Sequence, residues 1–215
     1  MREVSGALVA EPQRRERKKR QTRDALVHAA LRLFDAKGYE HTAVREITDA
    51  VDVSERTFFR YFANKEDLAL SFIRDSTDAF IRELAVRPAD EPPFTALANS
   101  FRASLRALTA DEGPAEESAY LLVIKLIDTT PSLLAALLRY LHDRDQETAR
   151  ILAAREGVDP ETDRRPRLAV GVYTALVIAA NREWRTGGDG SAEAMLAAFE
   201  ANAEQLKSAL AGHWT

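Results

Sequence analysis

Apolar residues recur at spacings of three and four along most of this 215-residue chain, and this period is the strongest constraint on its fold. Leu26, Ala30, Leu33 and Phe34, for example, lie on one face of a helix that we expect to end at Lys37, just before a glycine. The chain has no segment in which apolar and polar residues alternate around a turn, as they do in a β-hairpin. The pattern predicts an all-α fold of about nine helices with short connections.

The composition supports this prediction and excludes several kinds of site. Glycine (9) and proline (8) are scarce, whereas alanine, leucine, arginine and glutamate are abundant. The absence of cysteine excludes disulfides, thiolate metal sites and cysteine nucleophiles. The four histidines have no metal-ligand spacing, and no catalytic or phosphate-binding glycine motif occurs. We therefore expect no metal, no cofactor and no enzymatic activity.

The hydropathy pattern also bears on localisation. The longest apolar runs are far shorter than the roughly 20 residues that a membrane-spanning helix requires, and no apolar signal segment follows the N-terminal basic residues. We expect a cytoplasmic protein without a membrane partner.

The charges are unevenly distributed along the chain. Residues 1–65 contain 14 basic and 10 acidic residues, whereas residues 66–215 contain 16 and 24. The densest block, from Arg14 to Arg23, has seven basic residues and one acidic residue. Such a block is typical of a segment that binds a polyanion, and equally of a solvated tail. Residues 1–14 lack periodicity and are predicted to be a disordered leader.

Two brief helices separated by three residues form the most informative segment. Thr42 is expected to cap the first helix and Ser54 the second, and Asn64 is expected to cap a long helix that follows. Two short helices in this arrangement are typical of a helix-turn-helix, whose second helix enters the major groove of DNA. Phe58 and Phe62 would be buried.

The polar side of that second helix carries the candidate DNA-binding residues. They are Ser54, Glu55, Arg56, Thr57, Arg60 and Tyr61. Arg56 can donate two hydrogen bonds to a guanine edge, and Thr57 can contact a base or a thymine methyl group. A small three-helix core with a solvated basic face would account for the arginines almost as well.

The segment ALRLFDAKGYEHTAVREITDAVDVSERTFFRYFANKEDL closely resembles the DNA-binding domain of TetR-type transcriptional regulators. The shared pattern is a first helix, glycine and an aromatic residue, threonine, a short helix, Val-Ser, a recognition helix and a final Lys-Glu-acid-Leu. The resemblance covers about the first third of the chain. It implies a three-helix helix-turn-helix DNA-binding domain at 15–62, followed by a larger ligand-binding and dimerisation domain at 63–215.

The resemblance also implies roles for individual residues. Base contacts would come mainly from Ser54, Glu55, Arg56 and Thr57. Phosphate contacts would come from Thr42, from Phe59 and Tyr61, and from Lys65 at a helix N-terminus, which itself favours an anion.

Three positions depart from the family pattern. Asp52 replaces a turn glycine and can adopt the left-handed conformation at modest cost, so the turn is expected to be retained. Arg56 replaces a glycine and reaches further. Phe59 replaces a tyrosine and lacks the hydroxyl, which Tyr61 can supply instead.

The eighth predicted helix, from about Arg165 to Thr186, carries two apolar stripes. One stripe comprises Leu168, Val172, Ala175 and Ala179, and the other comprises Val170, Tyr173 and Val177. One face would line the core and the other a partner, so we expect a homodimer that binds a pseudo-palindromic double-stranded DNA operator. A larger monomer core that uses both stripes is the alternative.

Polar and aromatic residues among the apolar ones predict an effector pocket. The candidate residues are Phe101, Tyr120, Lys125, Tyr140, Tyr173, Val177, Asn181 and Trp184. The expected function is a ligand-responsive regulator, a repressor released from its operator by a small hydrophobic effector with an acidic or hydrogen-bonding group. The alternatives are an all-helical small-molecule carrier or enzyme with an incidental basic tail, or a protein-binding adaptor.

Overall fold

The computed structural model describes residues 7–109, 119–187 and 191–212, and all regular secondary structure in these ranges is helical. Ten helices follow one another along the chain: α1 (Ala7–Lys37), α2 (Val44–Asp49), α3 (Glu55–Phe59), α4 (Lys65–Ala69), α5 (Ser71–Val86), α6 (Pro93–Thr109), α7 (Ala119–Thr129), α8 (Pro131–Glu156), α9 (Arg165–Gly187) and α10 (Ala192–Leu210). The all-α prediction is confirmed. No helix in the described ranges is long and apolar enough to cross a membrane.

The first compact unit comprises Met1–Ser71 and Leu122–Leu133. Its buried side chains come from α1 to α4, α7, the start of α8 and the connections between helices, and include Leu26, Phe34, Ile47, Phe58, Leu68 and Val123. Ser132 donates a hydrogen bond of 3.1 Å to Glu40, which joins the two segments of the unit. This unit is larger than the DNA-binding domain predicted for residues 15–62.

The second compact unit comprises Phe72–Leu121 and Leu134–Thr215. Its core is aromatic: the rings of Phe80 and Tyr173 stack with centroids 4.9 Å apart, and Phe101 and Phe199 pack around them. Leu97 and Leu152 are fully buried in the same cluster.

The fourth predicted helix is interrupted, which gives ten helices rather than about nine. The chain leaves regular helical geometry at Leu70, between α4 and α5. The buried Ser71 hydroxyl donates to the carbonyl oxygen of Leu68 at 2.7 Å. A serine that bonds to a preceding carbonyl competes with the helical backbone ladder, which accounts for the break.

The disordered leader predicted for residues 1–14 is wrong from Ala7 onward, because α1 begins there; residues 1–6 lie outside the described ranges. Alanine, leucine and glutamate favour the helix, and extending an existing helix adds about one hydrogen bond per residue fixed. The buried residues from Leu26 to Phe34 anchor that helix in the first unit. The basic block is therefore part of a helix.

Candidate nucleic-acid interface

The turn between α2 and α3 depends on one residue with a left-handed backbone. Asp52 has φ +54°, the only positive φ of a non-glycine residue in the described part of the chain, and this confirms the conformation predicted for it. The amide of Val53 donates to the carbonyl oxygen of Thr48 at 3.1 Å, so the chain folds back on the end of α2. Asp tolerates this conformation better than most residues that are not glycine. The turn at Asp52 therefore positions α2 and α3 as a helix-turn-helix.

Helix α3 is held at its start and along its inner side. The Ser54 hydroxyl accepts a hydrogen bond from the Thr57 amide at 3.2 Å, as predicted for the N-cap. Phe58 is 0% exposed and Phe62 is also buried, with their ring centroids 5.5 Å apart. A helix of five residues is unstable alone, so these contacts fix which side chains face outward.

The outward face of α3 matches the candidate DNA-binding residues. Ser54, Glu55, Arg56, Phe59 and Arg60 are exposed, and Thr57 and Tyr61 are half-buried. Arg56 forms no hydrogen bond or ion pair with any residue of the described chain, so its guanidinium is available to an external acceptor. The Arg60 guanidinium lies 4.9 Å from the centre of the Tyr61 ring and donates to its hydroxyl at 3.2 Å.

Phe59 is the exposed aromatic residue of this surface. Its side chain is 54% exposed, although its ring packs edge-on against Phe58 with centroids 5.2 Å apart. A phenyl ring cannot donate a hydrogen bond to phosphate, but it can make apolar contact with a thymine methyl group.

Lys65 is held by the chain itself. Its ammonium donates to the carbonyl oxygens of Tyr39 at 2.6 Å and of Thr42 at 3.0 Å, and lies 4.1 Å from the centre of the Tyr39 ring. Two of its three donors are therefore engaged. Asn64 caps the same helix, as predicted, by accepting from the Asp67 amide at 2.8 Å. The phosphate contact of Lys65 stays a prediction, and its internal contacts position the start of α4.

Thr42 does not cap α2, and that prediction is wrong. Its side chain is 2% exposed, and its hydroxyl donates to the carbonyl oxygen of Gly38 at 2.9 Å. The N-cap is Ala43, whose amide donates to the Glu46 carboxylate at 2.8 Å. Glu46 therefore bonds back to the start of its own helix, whereas the Thr42 hydroxyl bonds at the end of α1. Because the Thr42 hydroxyl is buried, it is not exposed to make the predicted contact with a phosphate.

The basic part of α1 forms a second exposed cationic surface. Its exposed cationic residues are Arg14, Arg15, Arg17, Lys18, Lys19 and Arg20. Arg23, further along the helix, is half-buried and lies 5.5 Å from the centre of the Phe62 ring, so α1 contacts the residues that follow α3.

Several candidate effector residues lie in the aromatic core of the second unit. Phe101, Tyr173 and Trp184 are buried, and the Trp184 indole donates to the carbonyl oxygen of Ser191 at 2.9 Å. Asn181 donates to the carbonyl oxygen of Val177, one turn earlier in the half-buried part of α9.

Tyr140, Lys125 and Tyr120 are the remaining candidate effector residues. Tyr140 is half-buried and its hydroxyl donates to the carbonyl oxygen of Arg74 at 3.5 Å. Lys125 is exposed and belongs to the first unit. The side chain of Tyr120 lies outside the described residues. The effector pocket stays a prediction.

Sequence reasoning did not assign a role to Tyr39, the aromatic residue after Gly38. It is buried against Phe34 and supports the Lys65 ammonium. Burial, with the nearby charges of Glu66 and Glu40, raises the pKa of the Tyr39 hydroxyl to about 12. The sequence contains the glycine-aromatic pair and the Lys-Glu-Asp-Leu segment that make this contact, but only the fold shows that the two segments lie together. Among the described residues, no group of three or more acidic or histidine side chains could hold a metal ion.

Comparisons with known proteins agree with this geometry. Residues 26–72 match the family model described as bacterial regulatory proteins of the tetR family, and residues 91–210 match that of the MftR C-terminal domain. The HTH-type transcriptional regulator TcmR of Streptomyces glaucescens is 44% identical over 204 residues, which cover 94% of this chain and 90% of that protein.

Solved structures share the fold at low sequence identity. A putative transcriptional regulator from Pseudomonas aeruginosa has a TM-score of 0.56 at 18% identity, with 88% of this chain and 91% of that chain covered. A regulator from Aquifex aeolicus has a TM-score of 0.52 at 17% identity, with 86% and 98% covered. Family members are transcriptional regulators and not enzymes, which argues against the enzyme alternative. With the helix-turn-helix at its N-terminal end and these matches along its length, the chain belongs to the TetR family of transcriptional regulators.

Proposed function

We propose that this chain is a ligand-responsive repressor that binds a pseudo-palindromic operator as a homodimer. The observation that supports DNA binding is the outward face of α3, which is capped by Ser54 and anchored by Phe58. On this face Arg56 is exposed and has no partner among the described residues. A helix presented in this way can enter the major groove, and its arginine can form two hydrogen bonds with guanine.

The roles of the other residues follow from their placement. Ser54, Glu55 and Thr57 lie near the start of α3, the part of a recognition helix that contacts base edges. Arg60 and Tyr61 follow the helix and are placed to contact phosphates, whereas Phe59 is proposed to contact a thymine methyl group.

An exposed apolar face on α9 supports the homodimer. Leu168 is 65% exposed and Ile178 is 57% exposed, with Val172 and Ala175 exposed between them. Gly171 lies at the edge of this face, and a Cβ at that position would meet nothing within 4 Å apart from neighbouring parts of α9 itself. Such a face is costly to leave in water, and a second copy of the same helix covers it in a two-fold arrangement. The buried side of α9, which includes Val170 and Tyr173, belongs to the core.

The dimer is tested by sedimentation equilibrium of the full chain. We expect a mass of two chains at micromolar concentration, and a shift toward one chain when Leu168 and Ile178 are both replaced by Glu. Glu83→Lys, on an exposed position of α5, is a control that should leave the mass unchanged. A single-chain mass for the unaltered protein would contradict the homodimer.

The effector is proposed to act through the second unit. A hydrophobic molecule that enters the core near Tyr173, Val177 and Asn181 must displace existing ring contacts, because Tyr173 stacks on Phe80. Binding would therefore favour a different arrangement of the core. To switch most of the population, the effector must prefer that arrangement by a few kcal/mol, up to about 5.5 kcal/mol for a near-complete switch.

The experiment that tests the proposed function is a gel-shift titration with the DNA that flanks the protein's own gene, in the presence of excess random DNA. A sequence-specific regulator should give a discrete complex that resists the competitor. A carrier or a protein-binding adaptor would give no complex, or one that random DNA removes.

A further inference from the structure

A cleft in the second unit lies between the middle of α8, the connection that follows it, and the first turns of α9. Its volume is about 420 Å³, which is in the usual range for small-molecule sites, about 300–1,000 Å³. Ala149, Pro166 and Val170 provide apolar surface, whereas Asp145 and Arg150 are charged. None of the residues that the sequence suggested for an effector line this cleft.

Asp145 provides an acceptor in this cleft that the chain satisfies only in part. One carboxylate oxygen accepts a hydrogen bond from the Thr174 hydroxyl at 3.0 Å. No donor in the described part of the chain bonds to the other oxygen. The side chain is half-buried, and this burial raises the pKa of its carboxyl group. A poorly solvated carboxylate with an unused acceptor is stabilised by a cationic donor.

Arg150 lines the same cleft five residues further along α8. It forms no ion pair or hydrogen bond within the described ranges. The cleft also contains Glu161 and Arg167, but these two residues pair with each other at 3.4 Å and neutralise each other. His142 and Gln146, the remaining polar residues of the α8 wall, are joined by a hydrogen bond of 2.9 Å. His142 also interacts electrostatically with Asp145. Among the described residues, neither Asp145 nor Arg150 forms an ion pair, so both remain available to a ligand.

The spacing of these two groups limits the ligand. Five residues of α-helix advance by about 7.5 Å and turn by about 140° around the axis, so the side chains of Asp145 and Arg150 leave α8 at well-separated points. An extended dipeptide spans about 7 Å, whereas the two charges of a single α-amino acid are too close together to meet both groups.

We propose that the cleft binds a small zwitterion of dipeptide length, with its ammonium on Asp145, its carboxylate on Arg150 and its apolar side chains over Ala149 and Val170. The ligand meets the unused acceptor and the unpaired guanidinium at once. This site is separate from the aromatic core around Tyr173. The proposal does not rest on DNA binding, because the site lies wholly within the second unit.

The test is isothermal titration of the full chain, without DNA, with the dipeptide of two leucines. We expect binding by the dipeptide with free termini, and affinity at least 10-fold weaker for its N-acetylated form, its C-terminal amide and leucine alone. Asp145→Asn should remove the preference for the free amine, and Arg150→Gln should remove the preference for the free carboxylate. Asp143→Asn and Arg139→Gln, on exposed positions of α8 outside the cleft, should change neither preference.

Three results would overturn the proposal. The first is no binding of the free dipeptide at millimolar concentration, and the second is equal binding of its free and blocked forms. The third is binding of an amine without a carboxylate that depends on Asp145 but not on Arg150, which would indicate a site for organic cations. Circular dichroism of each variant verifies that the helices are retained.

Discussion

The Lys65 ammonium donates to the carbonyl oxygen of Tyr39 at 2.6 Å and lies 4.1 Å from the centre of the same residue's ring. A second bond, to the carbonyl oxygen of Thr42 at 3.0 Å, ties the start of α4 to the loop between α1 and α2. Lys65 therefore stabilises the scaffold that carries the recognition helix.

Lys65→Met should destabilise the first unit by about 1–3 kcal/mol, because it removes two hydrogen bonds from a charged donor. The Tyr39 carbonyl oxygen keeps its bond from the Thr42 amide, whereas the Thr42 carbonyl oxygen loses the Lys65 donor. Methionine keeps the apolar length of the side chain and removes only the ammonium. Urea unfolding measures the destabilisation. If Lys65 mainly positions α4, the slope of DNA affinity against salt concentration should be the same for Lys65→Met and the unaltered chain. A slope reduced by about 0.9, with stability unchanged, would show that Lys65 binds a phosphate instead.

Arg56→Ala should weaken binding to the operator by about 1–3 kcal/mol and leave binding to random DNA almost unchanged, because the substitution removes a bidentate pair of hydrogen bonds to guanine. Arg56→Lys is the matched control, since it keeps the charge but cannot form the planar pair of hydrogen bonds. It should lose specificity while retaining the salt slope. Fluorescence anisotropy on both DNAs measures the effect, and equal weakening on the two DNAs would assign Arg56 to a phosphate.

The basic part of α1 should add affinity that depends on salt but not on sequence. An α-helix about 10 Å wide does not fit a minor groove about 6 Å wide, so we expect this helix to bind phosphates. Replacing Arg14, Arg17 and Lys18 by Gln should lower the salt slope by about 0.9 for each phosphate that is no longer neutralised. The pair Arg15 and Lys19 projects from a different side of the helix and should give a different change. Equal changes per residue for both sets would indicate a tail without a fixed orientation.

The stability of the second unit should fall in acid because of Glu91. Arg87 donates two hydrogen bonds of 2.6 Å to its carboxylate, and Asn99 donates a third. These bonds, those of Arg87 above all, hold the pKa of Glu91 below its usual range. The pKa of Glu91 is lower in the folded chain than in the unfolded chain, where it is about 4.3. This difference stabilises the fold at pH values above about 4.3, and the stabilisation is lost as the pH falls through the pKa of the folded chain.

Thermal unfolding at pH 7 and pH 3 tests the role of Glu91. Glu91→Gln should lower the midpoint at pH 7 and reduce the difference between the two pH values. Asp90→Asn, on an exposed neighbour in the same connection, is the control and should behave as the unaltered chain. An equal pH difference in the unaltered chain and Glu91→Gln would show that this carboxylate does not contribute.

Much of the helical pattern was predictable because its signals are local. The first helix ends at Lys37, as predicted from the glycine that follows it, and Gly38 has φ +88°. Ser54 and Asn64 cap the helices that follow them, since each needs only a side-chain oxygen three residues before an amide.

The parts that could not be predicted depend on the approach of distant residues. Lys65 donates to a carbonyl oxygen 26 residues earlier in the chain, so residue spacing cannot predict that it bonds within the chain. The α8 cleft needs the approach of Asp145 to Thr174 on another helix, which no periodicity specifies. The cap of α2 was assigned wrongly because Thr42 and Ala43 are adjacent, and only the fold shows which of them faces the buried end of α1.

Selection from a random DNA library by the unaltered full chain tests the central claim most directly, since it assumes no operator sequence. A homodimer that reads bases through α3 should enrich an inverted repeat whose half-sites lie about one helical turn, or a multiple of it, apart. Two chains should bind each enriched site. Recovery of no preferred sequence after repeated rounds, with binding governed only by salt, would contradict the proposal that this protein is a sequence-specific regulator.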